Sequence, residues 1–281
     1  TVAVNSGSIC NGSSFTMNPS GASTYAYTGG SALVSPSSTT SYTVTGTSAA
    51  GCSNTAVSTV TVNTIPTVAV NSGSICNGSS FTMIPSGAST YAYTGGSASV
   101  SPSSTTTYTV TGTSSAGCSN TAVATVTVNA NPTVAVNSGA ICNGSSFTMI
   151  PSGASTYSYT GGSATVNPSS TTSYTVTGTN ALGCSNTAVA TVTVNANPTV
   201  AVNSGAICNG SSFTMNPTGA LSYVYSSGAA LVSPSTTTTY SVTGTNAVGC
   251  TNTALSTVTV NAIPTIVIPP TGVCTGGTAT L

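Results

Sequence analysis

The cysteines are the residues in this sequence whose type and spacing point most directly to chemistry. Nine of them recur along the chain, separated alternately by 42 and 24 residues, at Cys10, Cys52, Cys76, Cys118, Cys142, Cys184, Cys208, Cys250 and Cys274. Zinc sites usually draw their cysteines from close pairs, about two to four residues apart. Widely and regularly spaced cysteines are typical instead of disulfides in an oxidising, extracellular environment.

The other residue types that carry chemistry are missing from the sequence. Its 281 residues include no Asp, Glu, Lys, Arg or His. General acid–base catalysis needs a group that titrates near the working pH, and nothing in the sequence could activate a serine or threonine as a nucleophile. Hard cations bind carboxylates, and nucleic acids require cationic side chains. We therefore expect no enzyme, no cofactor, no metal site and no nucleic-acid partner.

A 66-residue repeat organises the chain. The four copies are 1–66, 67–132, 133–198 and 199–264, and the first two differ at only 7 positions. Residues 265–281 resemble the start of a divergent, partial fifth copy. A period of this length is typical of an array of similar domains. No run approaches the ~20 apolar residues of a membrane-spanning helix.

Each repeat is predicted to end in a β-hairpin. Tyr42 and Val44 fall on one face of its first strand, and Thr43 and Thr45 on the other, which is the period of two that a half-buried strand requires. Gly51 is expected to take a positive φ in the turn. The second strand places Val57 out of phase with Val60. This mismatch predicts a β-bulge near Ser58–Thr59.

The residues before the hairpin predict four shorter strands, over 1–5, 13–17, 24–28 and 31–34, with aromatic and Met side chains in the core. A turn is expected at Ser6-Gly7-Ser8, after the first of these strands. Six or seven short strands with frequent turns are typical of an immunoglobulin (Ig)-like sandwich. The tyrosine of the penultimate strand falls where a tyrosine corner would lie, at Tyr42, Tyr108, Tyr174 and Tyr240. The predicted fold is therefore all-β, a tandem array of four Ig-like β-sandwich domains plus the first two strands of a fifth.

The cysteine spacing leaves the disulfide pairing open. The simplest pairing joins the two cysteines of each repeat, as Cys10–Cys52, Cys76–Cys118, Cys142–Cys184 and Cys208–Cys250, and leaves Cys274 for the remainder of the fifth repeat. In an Ig-like sandwich, however, the first turn and the last hairpin turn lie at opposite ends. Pairing between neighbouring repeats or between chains would then fit better, and reduced cysteines are a third alternative.

Two surface features suggest further roles. The sequence Asn-Gly-Ser matches the N-glycosylation signal, which predicts candidate glycan sites at Asn11, Asn77, Asn143 and Asn209. The hairpin is also expected to carry an uncharged face of outward threonines, namely Thr43, Thr45, Thr47, Thr59 and Thr61. This face could serve solubility, lateral packing, or contact with glycans or ice, although the twist of a sandwich disfavours a flat match to ice.

A family resemblance is carried by the motifs Ile9-Cys10-Asn11-Gly12, Tyr25-Ala26-Tyr27, 39–47, Gly51-Cys52 and 59–62. This pattern resembles the Ig-like/PKD-like repeats of large bacterial secreted surface proteins and adhesins, of the kind exported by type IX secretion. The resemblance covers all four repeats and the start of the fifth. It implies tandem β-sandwiches, export, and a role as a stalk, adhesin or filament. The acidic residues usual in such repeats are missing here, which argues against a calcium-stiffened version.

These observations predict an extracellular structural protein of the cell surface. We expect a subunit of a bacterial surface filament or stalk, built by self-association of disulfide-stabilised Ig-like repeats. Because the chain carries no charged side chain, no like-charge repulsion opposes contact between copies. The alternative is an adhesin whose repeats themselves bind surface glycans or another cell.

Overall fold

The computed structural model describes residues 1–268, so Cys274 and most of the predicted fifth repeat lie outside the described residues. The first repeat holds six strands, β1 (Gly7–Cys10), β2 (Phe15–Thr16), β3 (Thr24–Tyr27), β4 (Leu33–Val34), β5 (Thr40–Thr47) and β6 (Ser53–Asn63). No helix occurs in residues 1–268, and so none there could cross a membrane.

The same six strands recur in each later copy. The second repeat contains β7 (Gly73–Cys76), β8 (Phe81–Thr82), β9 (Thr90–Tyr93), β10 (Ser99–Val100), β11 (Thr106–Thr113) and β12 (Ser119–Asn129). The third contains β13 (Gly139–Cys142), β14 (Phe147–Thr148), β15 (Thr156–Tyr159), β16 (Thr165–Val166), β17 (Thr172–Thr179) and β18 (Ser185–Asn195). The fourth contains β19 (Gly205–Cys208), β20 (Phe213–Thr214), β21 (Ser222–Tyr225), β22 (Leu231–Val232), β23 (Thr238–Thr245) and β24 (Thr251–Asn261).

Two sheets enclose the core of each repeat. In the first repeat, a four-stranded sheet has the order β1-β6-β5-β3, and a two-stranded sheet pairs β2 with β4. Strand β1 runs parallel to β6, whereas β5 is antiparallel to both of its neighbours. The buried core between the sheets contains Met17, Val34, Val44 and Val60, with Phe15 and three tyrosines packed around it. This arrangement confirms the prediction of tandem all-β, Ig-like sandwiches.

The predicted β-bulge is wrong. Strands β5 and β6 pair without interruption from Thr40↔Val60 to Thr47↔Ser53. The inward position that looked empty in the hydrophobic pattern is filled by Ser58, which is fully buried and donates a 2.7 Å hydrogen bond to the carbonyl of Asn5. Val57 points outward with 58% of its surface exposed. The small inward Ser58 and the exposed Val57 therefore give the sequence the out-of-phase hydrophobic pattern of a bulge, although the strands pair without a bulge.

The start of each repeat also differs from the prediction. Residues 1–5 form a single bridge, Ala3↔Ser20, rather than a full strand. The strand β1 begins instead at Gly7, where a turn was expected, and lies beside the end of β6. Glycine leaves room for the Phe15 ring there, because a Cβ on Gly7 would come within 2.5 Å of the ring and displace it. In the hairpin turn, Gly51 takes the expected positive φ of 82°.

The chain divides into two compact units. One consists of Thr1–Pro132 together with Thr179–Ser185, the hairpin tip of the third repeat. Among the described residues, the other consists of Thr133–Gly178 and 186–268. Each set of six strands falls inside one predicted 66-residue copy, while the boundaries of the four domains remain predictions.

Candidate functional site at the joints between repeats

The two cysteines of a repeat lie at opposite ends of its longest strand. Cys10 ends β1 and stands beside Asn63, the last residue of β6. Cys52 directly precedes Ser53, the first residue of β6. The 11-residue strand therefore separates them, by roughly 36 Å at ~3.3 Å per residue. Disulfides need Cα atoms less than about 7 Å apart, so pairing within a repeat is geometrically impossible.

The structure pairs cysteines of neighbouring repeats instead. The disulfides are Cys10–Cys118, Cys76–Cys184 and Cys142–Cys250, with Cα–Cα distances of 5.6, 5.4 and 5.5 Å. Each joins positions 108 residues apart, so one rule describes all three. The within-repeat pairing that the spacing made simplest is thus wrong. We call the contact between the end of one repeat and the hairpin tip of the next a joint.

An asparagine beside the hairpin tip holds the preceding linker. The side-chain amide of Asn120 donates a 3.0 Å hydrogen bond to the carbonyl of Pro66, the last residue of the first repeat. Its oxygen accepts a 2.9 Å bond from the amide of Thr121, which fixes the orientation of the side chain. Asn252 bonds Pro198 in the same way, also at 3.0 Å. The joint therefore has a hydrogen bond to the linker in addition to its disulfide.

The turn residue four positions before the joint cysteine varies between repeats. Ser114 accepts a bond from the amide of Cys118 and stabilises only the turn. Asn180 accepts the equivalent bond from Cys184 and also donates a 2.9 Å bond to the carbonyl of Ala130. Asn246 does the same toward Ala196. The change from serine to asparagine thus adds a second hydrogen bond to the linker.

The joints are buried. Cys118, Cys184 and Cys250 are completely inaccessible to solvent. The prolines that end the linkers, Pro66, Pro132 and Pro198, are buried as well. Reductants in solution therefore have no direct access to one sulfur of each disulfide.

An open groove lies next to the joint between the first two repeats. It has a volume of about 520 Å³ and is lined by Ser6, Gly7, Ser8, Thr59, Thr61 and Asn63, with Ala116 from the next hairpin tip. Its lining offers hydroxyl and amide groups and no charged side chain. Such a surface can form hydrogen bonds to a neutral polar ligand.

The predicted tyrosine corner is made by a different tyrosine. The hydroxyl of Tyr25 accepts a 2.9 Å bond from the amide of Ala22 and donates a 3.1 Å bond to its carbonyl. Tyr91, Tyr157 and Tyr223 repeat this pair of bonds. Tyr42 instead packs its ring against the core and beside Gly29. The prediction for Tyr42, Tyr108, Tyr174 and Tyr240 is thus corrected, because the bond that defines the corner lies on β3.

The remaining predicted residues are placed as follows. Asn11 and Gly12 form an exposed turn, closed by a 3.0 Å bond from the amide of Ser13 to the carbonyl of Cys10. Glycosylation at Asn11, Asn77, Asn143 and Asn209 stays a prediction, which an intact mass would test. Among the described cysteines, Cys52 and Cys208 form no disulfide and are exposed.

Comparisons with known proteins find related folds only among solved structures. No protein-family model and no curated protein matches the chain. The structure "Sidekick-1 immunoglobulin domains 1-5" aligns with 92% of this chain and 79% of its own, at 12% identity and a TM-score of 0.24. "Ca2+-stabilized adhesin helps an Antarctic bacterium reach out and bind ice" aligns with 92% of this chain and 90% of its own, at 15% identity and a TM-score of 0.31.

These scores are too low to support an inference about function. The assignment to the Ig-like class rests on the observed sheets, core and repeat. In this chain, disulfides join neighbouring Ig-like repeats at one fixed sequence separation of 108 residues.

Proposed function

We propose that this chain is an extracellular structural protein, a subunit of a bacterial surface filament or stalk that self-associates through its Ig-like repeats. The observation that carries the proposal is the recurrence of the same disulfide at three successive joints. A covalent bond at every joint serves a molecule that bears tension. The resemblance of the repeat pattern to exported bacterial surface repeats supports the setting, including type IX secretion.

The disulfides create a short covalent path through the array. From Cys10 the path crosses to Cys118, follows the backbone for 24 residues to Cys142, and crosses to Cys250. Most of that backbone is already extended, because Ser119–Asn129 and Gly139–Cys142 are strands. Tension applied to the ends would therefore be carried by this 24-residue segment and two disulfides. Unfolding of a core would release little additional length.

Lateral association is favoured by two surface properties. Strand β3 lies at the edge of the four-stranded sheet, and an unpaired edge can pair with another copy. The exposed Ala26 on this strand is small and uncharged. Since the chain has no charged side chain, association should respond little to salt or to pH.

Placing lysine along this edge tests the proposal. The variant Ala26→Lys, Ala92→Lys, Ser158→Lys and Val224→Lys puts one exposed lysine on the edge strand of every repeat. We expect electron microscopy and light scattering to show filaments for the unmodified chain and none for this variant, because charged edges do not pair.

The matched control adds the same charge elsewhere. Lysines at the exposed loop positions Ser37, Ser103, Ser169 and Ser235 leave the edge unchanged and should preserve filaments. If both variants assemble equally, or if the unmodified chain stays monomeric at high concentration, the filament proposal is wrong.

The groove beside the first joint favours a second candidate function, that of an adhesin. Its hydroxyl-lined surface suits a neutral glycan. Thr59→Val with Thr61→Val would remove two hydroxyl groups while keeping the shape of the groove. Binding to a glycan array that this variant loses, without any filament formation, would favour the adhesin over the structural protein.

A further inference from the structure

Each repeat carries an Asn-Gly dipeptide in the turn that follows strand β1 or its equivalent. These Asn-Gly turns are exposed, and they are Asn11-Gly12, Asn77-Gly78, Asn143-Gly144 and Asn209-Gly210. In the first repeat, Gly12 has a φ of 84°, and the amide of Ser13 donates a 3.0 Å hydrogen bond to the carbonyl of Cys10. A positive φ at the second central position alone is typical of a type II turn.

An asparagine that precedes a glycine can lose its side-chain amide without any enzyme. The glycine nitrogen attacks the side-chain carbonyl carbon of the asparagine, and a carbon–nitrogen bond forms. The bond to the side-chain nitrogen breaks, and ammonia leaves with the proton that the glycine nitrogen lost. Water then opens the resulting cyclic imide at one of its two carbonyl groups, which yields either aspartate or isoaspartate. Glycine favours the attack because it has no side chain to hinder its nitrogen.

The first repeat leaves the reacting peptide group unrestrained. Within residues 1–268, neither the carbonyl of Asn11 nor the amide of Gly12 forms a hydrogen bond. The nitrogen of Gly12 reaches the side chain only after this peptide group rotates. Type I and type II turns differ by such a rotation and can share the same closing bond. The peptide group can therefore rotate without the loss of a hydrogen bond.

In the second and third repeats, a linker asparagine restrains the equivalent peptide group. The side-chain amide of Asn131 donates a 3.1 Å hydrogen bond to the carbonyl of Asn77. Asn197 donates a 3.2 Å hydrogen bond to the carbonyl of Asn143 in the same way. The first repeat carries Ile65 at this position, and the side chain of isoleucine has no donor. Rotation of the peptide group thus breaks a hydrogen bond in these two repeats and none in the first.

We propose that Asn11 is a site of spontaneous deamidation, and that Asn131 and Asn197 protect the equivalent sites at Asn77 and Asn143. The reaction consumes one water, releases one ammonia and involves no oxidation or reduction. Its product is a carboxylic acid, which is ionised at neutral pH, in a chain that otherwise has no charged side chain. The protein therefore acquires a negative charge at a fixed place, beside the disulfide of the first joint.

Incubation of the full chain in a mildly alkaline buffer tests the proposal, because base promotes the attack. The chain is made without attached glycans, its intact mass and disulfides are verified, and samples are reduced and digested with pepsin in acid. Peptides that span positions 8–18 and their equivalents differ in mass, because each repeat combines Ser or Ala at the first position with Asn or Ile at the last in its own way. Tandem mass spectrometry therefore follows each asparagine separately.

We expect Asn11 to deamidate about two- to tenfold faster than Asn77 and Asn143 in the folded protein, the effect of one hydrogen bond. In the reduced chain unfolded in guanidinium chloride, the three sites should react at equal rates. The reason is that the sequence Ile-Cys-Asn-Gly-Ser-Ser is the same at each of them. The unfolded sample thus separates protection by the fold from an effect of local sequence.

Exchange of the linker residues provides matched variants. Asn131→Ile places the residue of the first repeat in the second and should raise the rate at Asn77 to that at Asn11. The rate at Asn143 should stay unchanged in this variant and is the internal control. Ile65→Asn is the reverse exchange and should slow the reaction at Asn11. Because each residue already occupies this position in another repeat, both variants should retain the fold.

Two kinds of result would contradict the proposal. If Asn11 in the folded protein stays intact over a time in which the unfolded chain reacts completely, the turn is not a deamidation site. If Asn11 and Asn77 react at equal rates in the folded protein, or if Asn131→Ile leaves the rate at Asn77 unchanged, the linker asparagines do not protect.

Discussion

At the scale of single residues, small side chains and one hydroxyl group determine much of each repeat. Gly46 lies inside β5 because a Cβ there would come within 2.7 Å of Val2 and of Ala22. Tyr25 closes the preceding loop through two hydrogen bonds to one residue, Ala22. The hydroxyl group of Tyr25 should therefore matter for stability, whereas Tyr42 should act mainly through its ring.

Removing these hydroxyl groups distinguishes the two tyrosines. Replacing Tyr25, Tyr91, Tyr157 and Tyr223 by Phe should lower the unfolding free energy of each repeat by about 1–2 kcal/mol, because two hydrogen bonds are lost. The control replaces Tyr42, Tyr108, Tyr174 and Tyr240 by Phe and should change it by less than about 0.5 kcal/mol. Denaturant unfolding under reducing conditions measures both, and equal losses would contradict the corner assigned to Tyr25.

The sequence predicted the fold class well, and residue-level failures have clear causes. Alternation in β5, the turn at Gly51 and the repeated aromatic positions are local signals, and each predicted its element. The bulge failed because Ser58 is buried through one hydrogen bond to Asn5, 53 residues away. Serine is usually a surface residue, and an acceptor 53 residues away leaves no local signal in the sequence.

At the scale of elements, the linker and strand β1 define the joint. Pairing of Cys10 with Asn63 places a cysteine at the exit of each repeat, and the hairpin places the next at the entrance. The sequence contained this information only indirectly, since the expected turn at Gly7 concealed β1. It also gave no sign that Asn120 and Asn252 bind the linkers, beyond their recurrence two positions after each cysteine.

A unique protease site tests whether the joint holds without the linker. The chain has no Lys or Arg, so Thr64→Lys, at an exposed linker position, creates its single trypsin site. We expect the cut protein to remain one species on a non-reducing gel and to separate into two fragments after reduction, because Cys10–Cys118 bridges the cut.

The control adds Cys10→Ser to the same variant. This protein should separate after trypsin without any reductant. Separation of the Thr64→Lys protein itself under non-reducing, denaturing conditions would contradict the disulfide between the first two repeats.

At the scale of the whole molecule, the absence of charge governs the response to solution conditions. Stability changes with pH only when folded and unfolded chains bind different numbers of protons. The side chains that ordinarily titrate between about pH 3 and pH 8 are Asp, Glu and His, and the chain contains none. Side chains therefore contribute no slope to stability in this range.

Thermal unfolding at constant salt should accordingly give the same midpoint, within about 2 °C, from pH 3 to pH 8. Calorimetry across this range measures it, on protein whose disulfides are verified at each pH. A steep loss of stability in acid would mean that a titrating group absent from the sequence, such as a modification, supports the fold.

The central claim is that disulfides between neighbouring repeats carry tension along a short covalent path, and pulling one molecule by its two ends tests it most directly. With the disulfides intact, only the 24 residues from Cys118 to Cys142 bear load between Cys10 and Cys250. Reduction should therefore lengthen the fully stretched molecule by roughly 700 Å, at ~3.3–3.6 Å per residue. Equal stretched lengths before and after verified reduction would contradict the account.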